Sequence, residues 1–327
     1  MSIETSHPIK KPRPDGASVD SPQRFLLIGS ERSGSTMLRL MLDHHPHLAC
    51  MYESDFMVRH YAACHTAPPE RLRERIADDW HFANSGLTWP ADVADYAGVI
   101  DSFFRQRASA DGKRLVGATI HHDFEVLPRL FPDTKIIHLL RDGRPVAASI
   151  VRMGWAGNSY HAARIWVDTI RAVRAIRPHY SADNWMELRF EDLVADPKDR
   201  LADICTFLGL PFDDAMLRYN EQSTYEPPDP AIAGRWRKLD SREIQLAEMG
   251  CGDLLVELGY ERVFAPASPN PMQRLLLRIG NRVGRTRFRC ERYGTGLLLA
   301  RKLWSLVGVR RKSLEQRFRV IQESHIK

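Results

Sequence analysis

A strand, a tight turn and a helix are all encoded in one short stretch, Arg24-Phe-Leu-Leu-Ile-Gly29-Ser-Glu-Arg-Ser-Gly34-Ser-Thr36. The apolar run Arg24–Gly29 has the length and composition of a buried strand. Ser35–His44 follows with apolar residues at helical spacing, which predicts a helix directly after the turn. A glycine-containing turn between a buried strand and a helix is typical of α/β proteins that bind phosphate groups.

The turn has the glycine spacing of a nucleotide phosphate loop, but Ser35 stands where the usual motif has lysine. Backbone N–H groups at a helix N-terminus favour an anion, and nearby hydroxyls add donors. Arg32 can supply the missing positive charge through a guanidinium fork. Because the usual lysine reaches the β- and γ-phosphates, its absence disfavours γ-phosphoryl transfer. The loop predicts a site for a phosphate or phosphosulfate; a serine-capped turn without a ligand is the alternative.

Strands alternate with helices along most of the remaining chain, which predicts an α/β fold, a P-loop-type parallel sheet flanked by helices. We expect further strands at Arg114–Ala118, Lys135–Leu140 and Trp185–Leu188, and helices at Glu70–Trp80, Asp92–Gln106, Arg144–Arg152, His161–Ile176 and Asp199–Leu208. The first two of these helices form a helical insertion. A proline-rich linker, Pro266–Pro271, separates this body from the rest. The predicted parts are a flexible leader (1–22), an α/β domain (23–265) and a basic helical C-terminal extension (266–327).

A second anion site is predicted at the end of the strand Lys135–Leu140. Arg141 follows this strand directly, and open α/β sheets bind ligands at the carboxyl ends of their strands. Pro145 suits the first turn of a helix, and Ser149 lies about one turn further on. Arg141 and Ser149 could hold a separate phosphate. A simple pairing of Arg141 with Asp142 would explain the pattern equally well.

The charge of the chain is unevenly distributed. The 327 residues carry a net charge of +6, with 43% hydrophobic and 27% charged residues, which excludes disordered, collagenous and multispanning membrane proteins. Residues 272–327 hold 15 Lys and Arg against three acids, a net charge of +12, so the remainder carries −6. The five scattered cysteines favour free thiols, and the absence of a signal sequence or a long apolar stretch predicts a cytoplasmic protein.

The basic tail mixes apolar residues with arginines at near-helical spacing over Met272–Leu277, Gly296–Gly308 and Ser313–Val320. Such a helix fits peripheral attachment to an anionic membrane surface. It also fits docking onto the acidic body, contact with a polyanionic acceptor, or an extra helical layer with a solvated basic face. No nucleic-acid-binding module is recognisable, so no nucleic acid partner is expected.

Four sequence motifs follow one another along the chain. They are RSGST at Arg32–Thr36, FPDTKIIHLLRDGRPVAAS at Phe131–Ser149, LRFEDLVADP at Leu188–Pro197 with FLGLP at Phe207–Pro211, and GRWRKL at Gly234–Leu239 with LGYE at Leu258–Glu261. In this order they resemble the motifs of sulfotransferases that use 3′-phosphoadenosine 5′-phosphosulfate (PAPS). The resemblance extends from Arg24 to Glu261, and its last motif is similar to that of the branch containing tyrosylprotein sulfotransferases and many bacterial enzymes.

The resemblance implies PAPS as co-substrate, PAP as product and no metal requirement. The residues it implies for the donor are Arg32, Ser33, Gly34, Ser35 and Thr36 at the 5′-phosphosulfate, Arg141 and Ser149 at the 3′-phosphate, and Arg235, Trp236 and Lys238 in the closing segment. Core packing is the alternative role for Trp236. The adjacent histidines His44 and His45, and likewise His121 and His122, lack the accompanying carboxylates or cysteines of a metal site.

The resemblance also assigns the catalytic groups. Glu53 occupies the position at which the tyrosylprotein branch has its general base, and a carboxylate there can take the proton of an attacking hydroxyl. Asp55 is the second candidate for the base, and a solvated carboxylate at a strand end is the alternative role for Glu53. Relatives usually have a lysine before the 3′-phosphate strand, but Val116–Asp123 contains none. His121 or His122 would then supply the donor for the leaving phosphate, with His122 taken as the catalytic candidate and Arg32 carrying part of the charge.

The sequence therefore predicts a sulfotransferase that acts on a hydroxyl of an unidentified acceptor, a carbohydrate, lipid or peptidyl tyrosine. A P-loop small-molecule kinase is the first alternative, although it would need a lysine where Ser35 stands and an aspartate-bearing strand for Mg²⁺. A non-catalytic relative that binds a nucleotide or a membrane is the second.

Overall fold

A computed structural model describes residues 22–222, 226–298 and 300 of the chain. In this part of the chain five strands form one sheet in the order β2-β3-β1-β4-β5, and all neighbours are parallel. The strands are β1 (Gln23–Gly29), β2 (Leu48–Glu53), β3 (Leu115–Ile120), β4 (Lys135–Leu140) and β5 (Trp185–Arg189). The predicted parallel α/β sheet is thereby confirmed.

The same part of the chain also forms helices. They are α1 (Ser35–Asp43), α2 (Tyr61–Cys64), α3 (Pro69–Ile76), α4 (Trp80–Asn84), α5 (Tyr96–Asp111), α6 (Leu127–Leu130), α7 (Gly143–Arg152), α8 (Ser159–Ile176), α9 (Phe190–Ala195), α10 (Pro197–Leu208), α11 (Ala231–Gly234), α12 (Ser241–Cys251), α13 (Leu254–Glu257) and α14 (Pro271–Tyr293). None of the described helices is long and apolar enough to cross a membrane. The tail beyond residue 300 and the leader up to residue 21 lie outside the described residues.

Several elements differ from the sequence prediction. The helix expected over Asp92–Gln106 spans Tyr96–Asp111. The helix expected over Glu70–Trp80 ends at Ile76, and α4 begins separately because the Asp79 carboxylate accepts hydrogen bonds from the backbone N–H groups of His81 and Phe82. Strand β2 was not predicted, because its alanine, its cysteine and its terminal glutamate give a weak strand pattern.

The sheet is buried on both faces, which explains the nearly continuous apolar runs of its strands. Alternate residues of β1 face opposite sides of the sheet. Leu26 and Ile28 belong to a core cluster that contains Phe103 of α5, whereas Leu27 belongs to a second cluster that contains Met41 of α1. Helices therefore cover both faces of the sheet, and a ligand is expected at the carboxyl ends of the strands, where open α/β sheets bind ligands.

The described chain divides into two compact units. The first unit lies within residues 1–141 and 168–235 and contains the whole sheet; the second lies within residues 142–167 and 236–327 and contains α7 and α12–α14. The sequence-based division into 1–22, 23–265 and 266–327 stays a prediction.

A buried charge network centres on Arg144 in the second unit. The Arg144 side chain is 2% exposed, and its guanidinium contacts Asp142 Oδ2 at 2.7 Å and Glu248 Oε1 at 2.8 Å. It also donates to the Glu261 carbonyl at 2.8 Å and lies 3.4 Å from the centre of the Trp236 ring. Because buried ions require partners, this network ties the start of α7 to α12 and to the segment after α13.

Candidate active site

The loop after β1 is shaped by close approaches that only glycine permits. Gly34, at the N-terminus of α1, has a φ angle of 97°, and a Cβ atom there would lie 2.3 Å from the Phe190 ring. A Cβ atom at Gly29 would lie 2.5 Å from the carbonyl oxygen of Leu139 on β4. Both glycines of the motif are therefore needed to bring the loop against β4 and α9.

Ser33 provides the test of whether this loop fits an anion. The residue is 1% exposed, and its Oγ has no hydrogen-bond partner. A buried hydroxyl without a partner costs about 1–3 kcal/mol, so an oxygen of a bound anion would satisfy it. Ser35, at the first position of α1, is also buried, Thr36 is half-buried and Arg32 is exposed. These donors fit the phosphosulfate group that the sequence predicts.

His121 contacts the loop from the end of β3. Its Nδ1 lies 2.8 Å from the carbonyl oxygen of Gly29, and its Nε2 lies 3.2 Å from Ser35 Oγ. A carbonyl only accepts hydrogen bonds, so Nδ1 must carry the proton and Nε2 must face Ser35. The Asp55 carboxylate accepts hydrogen bonds from the backbone N–H groups of His121 and His122, both at 2.9 Å, and so fixes the turn that presents them.

His122 contacts a different part of the same loop. Its Nε2 lies 3.6 Å from Glu31 Oε1, and its side chain is 47% exposed. The nearby Glu31 carboxylate raises the pKa of His122 above its ordinary value, against the opposing effect of burial. The structure thus brings both histidines of the sequence prediction to the loop, His121 through Ser35 and His122 through Glu31.

Glu53, at the end of β2, is paired with a residue that the sequence did not indicate. Its Oε2 lies 2.9 Å from His81 Nε2, and Asp79 lies on the other side of the same ring. Burial favours the neutral Glu53, but the hydrogen bond from His81 and the positive charges of His121, His81 and Arg32 outweigh it and lower the pKa of Glu53. Burial likewise disfavours charged His81, but Glu53 raises the pKa of His81. Each partner therefore favours the charged form of the other.

Arg141 lies at the carboxyl end of β4, as predicted. Its Nη1 donates to the carbonyl oxygen of Arg32 at 3.2 Å, and its guanidinium lies 4.0 Å from the centre of the Phe190 ring. The sequence did not indicate Phe190 as a site residue, because the motif that contains it, Leu188–Pro197, has no residue that the resemblance assigns to the donor. It packs against both Gly34 and Arg141, so one aromatic ring lies beside both predicted anion sites.

The remaining predicted donor residues are distributed between the two units. Arg235 ends the first unit, is exposed and pairs with Asp229 at 2.7 Å. Ser149, Trp236 and Lys238 belong to the second unit. Trp236 is only 5% exposed and packs against the Arg144 guanidinium, and Lys238 is exposed. The described residues contain no cluster of three or more His, Cys, Asp or Glu arranged for a metal ion.

Substituting Gly34 by alanine is expected to lower the free energy of unfolding by roughly 2–5 kcal/mol, because the new Cβ would overlap Phe190 in a left-handed backbone conformation. Gly112→Ala is the matched control, since its φ is 66° but nothing lies within 4 Å of the added Cβ. It should cost only about 1–2 kcal/mol. Urea denaturation of both variants measures the difference, and equal costs would show that the Phe190 contact is unimportant.

Comparison with known proteins agrees with this geometry. The profile of the sulfotransferase family matches residues 24–214. The protein-tyrosine sulfotransferase A of Caenorhabditis elegans is 27% identical over 63% of this chain and 55% of its own length. The carbohydrate sulfotransferase 1 of Homo sapiens is 27% identical over 41% of this chain and 40% of its own. The chain spans about half the length of the curated relatives it matches.

A solved structure shares the fold. The sulfotransferase domain from the curacin biosynthetic pathway is 20% identical to this chain, with a TM-score of 0.50, over 73% of this chain and 98% of that domain. The family profile covers more than half of the chain and includes the loop after β1, both histidines, Glu53 and Arg141. This protein belongs to the sulfotransferase family.

Proposed function

We propose that this protein transfers a sulfuryl group from PAPS to a hydroxyl group of an acceptor. The observation that carries the proposal is the loop after β1, which has the glycines of a phosphate loop, no lysine, and a buried Ser33 hydroxyl without a hydrogen-bond partner. An oxyanion would complete that hydrogen bonding.

Arg32, Ser33, Gly34, Ser35 and Thr36 would hold the 5′-phosphosulfate, and Arg141 would hold the 3′-phosphate. Two contacts support the second assignment: the Phe190 ring and the Arg32 carbonyl both orient the Arg141 guanidinium at a strand end. Ser149, Arg235 and Lys238 remain candidates for the nucleotide. The burial of Trp236 under Arg144 favours a supporting role for this ring over direct contact.

Glu53 is the proposed general base. PAPS supplies the sulfuryl group and leaves as PAP. Glu53 would take the acceptor's hydroxyl proton while the hydroxyl oxygen bonds to sulfur and the bond between sulfur and the 5′-phosphate oxygen breaks. The lowered pKa keeps the Glu53 carboxylate ionised across the neutral range, which is the form that accepts a proton.

The leaving phosphate gains charge and needs a donor in place of the missing lysine. His121 is held with Nε2 at Ser35, the residue that replaces the loop lysine, which supports a role for the His121–Ser35 pair. His122 remains the alternative, since its contact with Glu31 raises its pKa and favours a positively charged ring. Arg32 would share the charge in either case.

The acceptor class is proposed only as a hydroxyl compound. Relatives named as protein-tyrosine and carbohydrate sulfotransferases suggest two candidates, a tyrosine-containing peptide and an oligosaccharide. Incubation of the protein with ³⁵S-labelled PAPS and each candidate tests these two directly. Incubation with ³⁵S-labelled PAPS and a cell extract, followed by separation of the labelled lipid, peptide and carbohydrate fractions, would identify the acceptor class.

Calorimetric titration with PAP, ADP and ATP tests the donor. We expect PAP to bind more tightly than either adenine nucleotide because only PAP carries the 3′-phosphate. Arg141→Ala should weaken PAP binding by roughly 10–100-fold, the loss expected for one hydrogen bond to a charged group.

Arg200→Ala is the control, because Arg200 is a partly exposed arginine of the same unit paired with Asp203. Tighter binding of ATP than PAP would favour the kinase alternative. An unchanged affinity of the Arg141 variant would remove this residue from the 3′-phosphate site. Tight PAP binding without transfer to any acceptor would favour the non-catalytic alternative.

A further inference from the structure

One face of α14 is apolar and exposed to solvent. The exposed fractions of its five large apolar residues lie between 49% and 64%. At about 100° per residue, these positions fall within an arc of about 100°. They are Met272, Leu275, Leu276, Ile279 and Val283. Scattered surface leucines are common, but an aligned stripe of five on one helix needs an explanation.

The opposite face of α14 packs against its own unit. The Asn281 side chain accepts a hydrogen bond from the backbone N–H of Gly157 at 2.6 Å, and the Leu277 carbonyl accepts one from Asn158 at 2.8 Å. Gly284 allows this close approach, since a Cβ atom there would lie 2.5 Å from the Gly157 carbonyl oxygen. The helix is therefore fixed with its apolar stripe, defined by the five residues above, facing away from the unit.

Arginines line one border of the apolar stripe. Six of them fall within an adjoining arc of about 80° between the stripe and the packed face. They are Arg274, Arg278, Arg282, Arg285, Arg289 and Arg292. The helix contains one acidic residue, Glu291, and this carboxylate pairs with Arg287 at 2.7 Å. The surface of α14 thus combines exposed apolar residues with a strong net positive charge.

We propose that α14 docks onto an anionic lipid membrane surface, with the apolar stripe inserted at the boundary of headgroups and acyl chains. Long arginine side chains bordering such a stripe reach the headgroup phosphates while their aliphatic parts stay near the lipid. Each adds favourable interaction with an anionic leaflet. An anionic lipid surface matches both the apolar stripe and the arginines. It offers an apolar interior and negatively charged headgroups along the whole length of this 23-residue helix. The inference is independent of the proposed enzymatic function.

Vesicle co-sedimentation of the full chain tests this proposal. Binding should be at least about tenfold stronger to vesicles of phosphatidylcholine with 30% phosphatidylserine, roughly a plasma-membrane proportion, than to phosphatidylcholine alone, and it should weaken with added salt. The double variant Leu276→Ser, Ile279→Ser should lose at least about tenfold in vesicle affinity, because two apolar side chains no longer insert. Arg278→Gln with Arg282→Gln should lose preference for the anionic vesicles.

Val256→Ser with Val263→Ser is the matched control, since both valines are exposed, at 53% and 59%, in the same unit but outside α14. This variant should bind like the unmodified chain. Equal binding to both vesicle types, or full binding by the α14 variants, would overturn the proposal. A different occupant, a second copy of the chain, would be indicated if no vesicle binding were seen and ultracentrifugation showed a dimer that the Leu276→Ser, Ile279→Ser variant does not form. That result would overturn the proposal.

Discussion

Replacing Glu53 by glutamine is expected to reduce kcat by roughly 10²–10⁴-fold, the range that general base catalysis contributes, while PAP affinity stays nearly unchanged. Glutamine has almost the same shape and can still contact His81, but it cannot accept the proton of the acceptor hydroxyl. Transfer from ³⁵S-labelled PAPS to the acceptor class that the unmodified protein labels gives the rate, and calorimetry with PAP gives the affinity.

Glu187→Gln is the matched control for this experiment. Glu187 also lies on a strand of the sheet, pairs with a histidine, His138, at 3.0 Å, and has a pKa lowered first of all by that hydrogen bond. Loss of this carboxylate should leave transfer intact. If Glu53→Gln retained full activity, or if both variants lost it equally, Glu53 would not be the base.

His81→Gln gives a readout that a purely structural role would not produce. Since the carboxylate form of Glu53 is the active one, activity should fall as the pH drops through the pKa of Glu53. His81 lowers that pKa, so its removal should move the acidic limb of the profile of kcat/KM against pH to higher pH. An unmoved limb would place the titrating base elsewhere.

Replacing Arg144 by methionine is expected to lower the free energy of unfolding by roughly 3–5 kcal/mol, because Asp142 and Glu248 would be left buried without their cation. Methionine fills most of the space of the side chain, so the loss reports mainly the charge. Urea denaturation followed by far-ultraviolet circular dichroism measures it.

Arg287→Met is the control for the Arg144 variant. Arg287 also belongs to the second unit and pairs with a carboxylate, that of Glu291, but both side chains are mostly exposed. Solvent screens such a pair, so little change in stability is expected. A loss for Arg144→Met no larger than that of the control would show that the buried network contributes little.

The sequence was most informative where neighbouring residues determine the structure. Lys135–Leu140 forms a strand with the predicted bounds, and Gly34 and Gly29 lie in the turn that their spacing indicated. A buried strand is recognisable from its own apolar run, and a glycine turn from its own steric freedom. Strand β2 has neither signal, since its stability comes from pairing with β3 rather than from its composition.

The contacts that tune the site are long-range and could not be predicted in this way. Arg144 contacts Glu248, which is 104 residues away in the sequence. The same guanidinium covers the ring of Trp236, which the motif assigned to the nucleotide. His81 reaches Glu53 from the helical insertion, whose helices carry no motif. Such pairs depend on how separate elements pack, which one unaligned sequence does not specify.

The position of Phe190 has an evolutionary consequence. The same ring touches the glycine of one predicted anion site and the arginine of the other. A substitution at Phe190 would therefore disturb both sites together, and compensation at one would leave the other unrepaired. Selection on Phe190 should therefore reflect both predicted anion sites rather than either one alone.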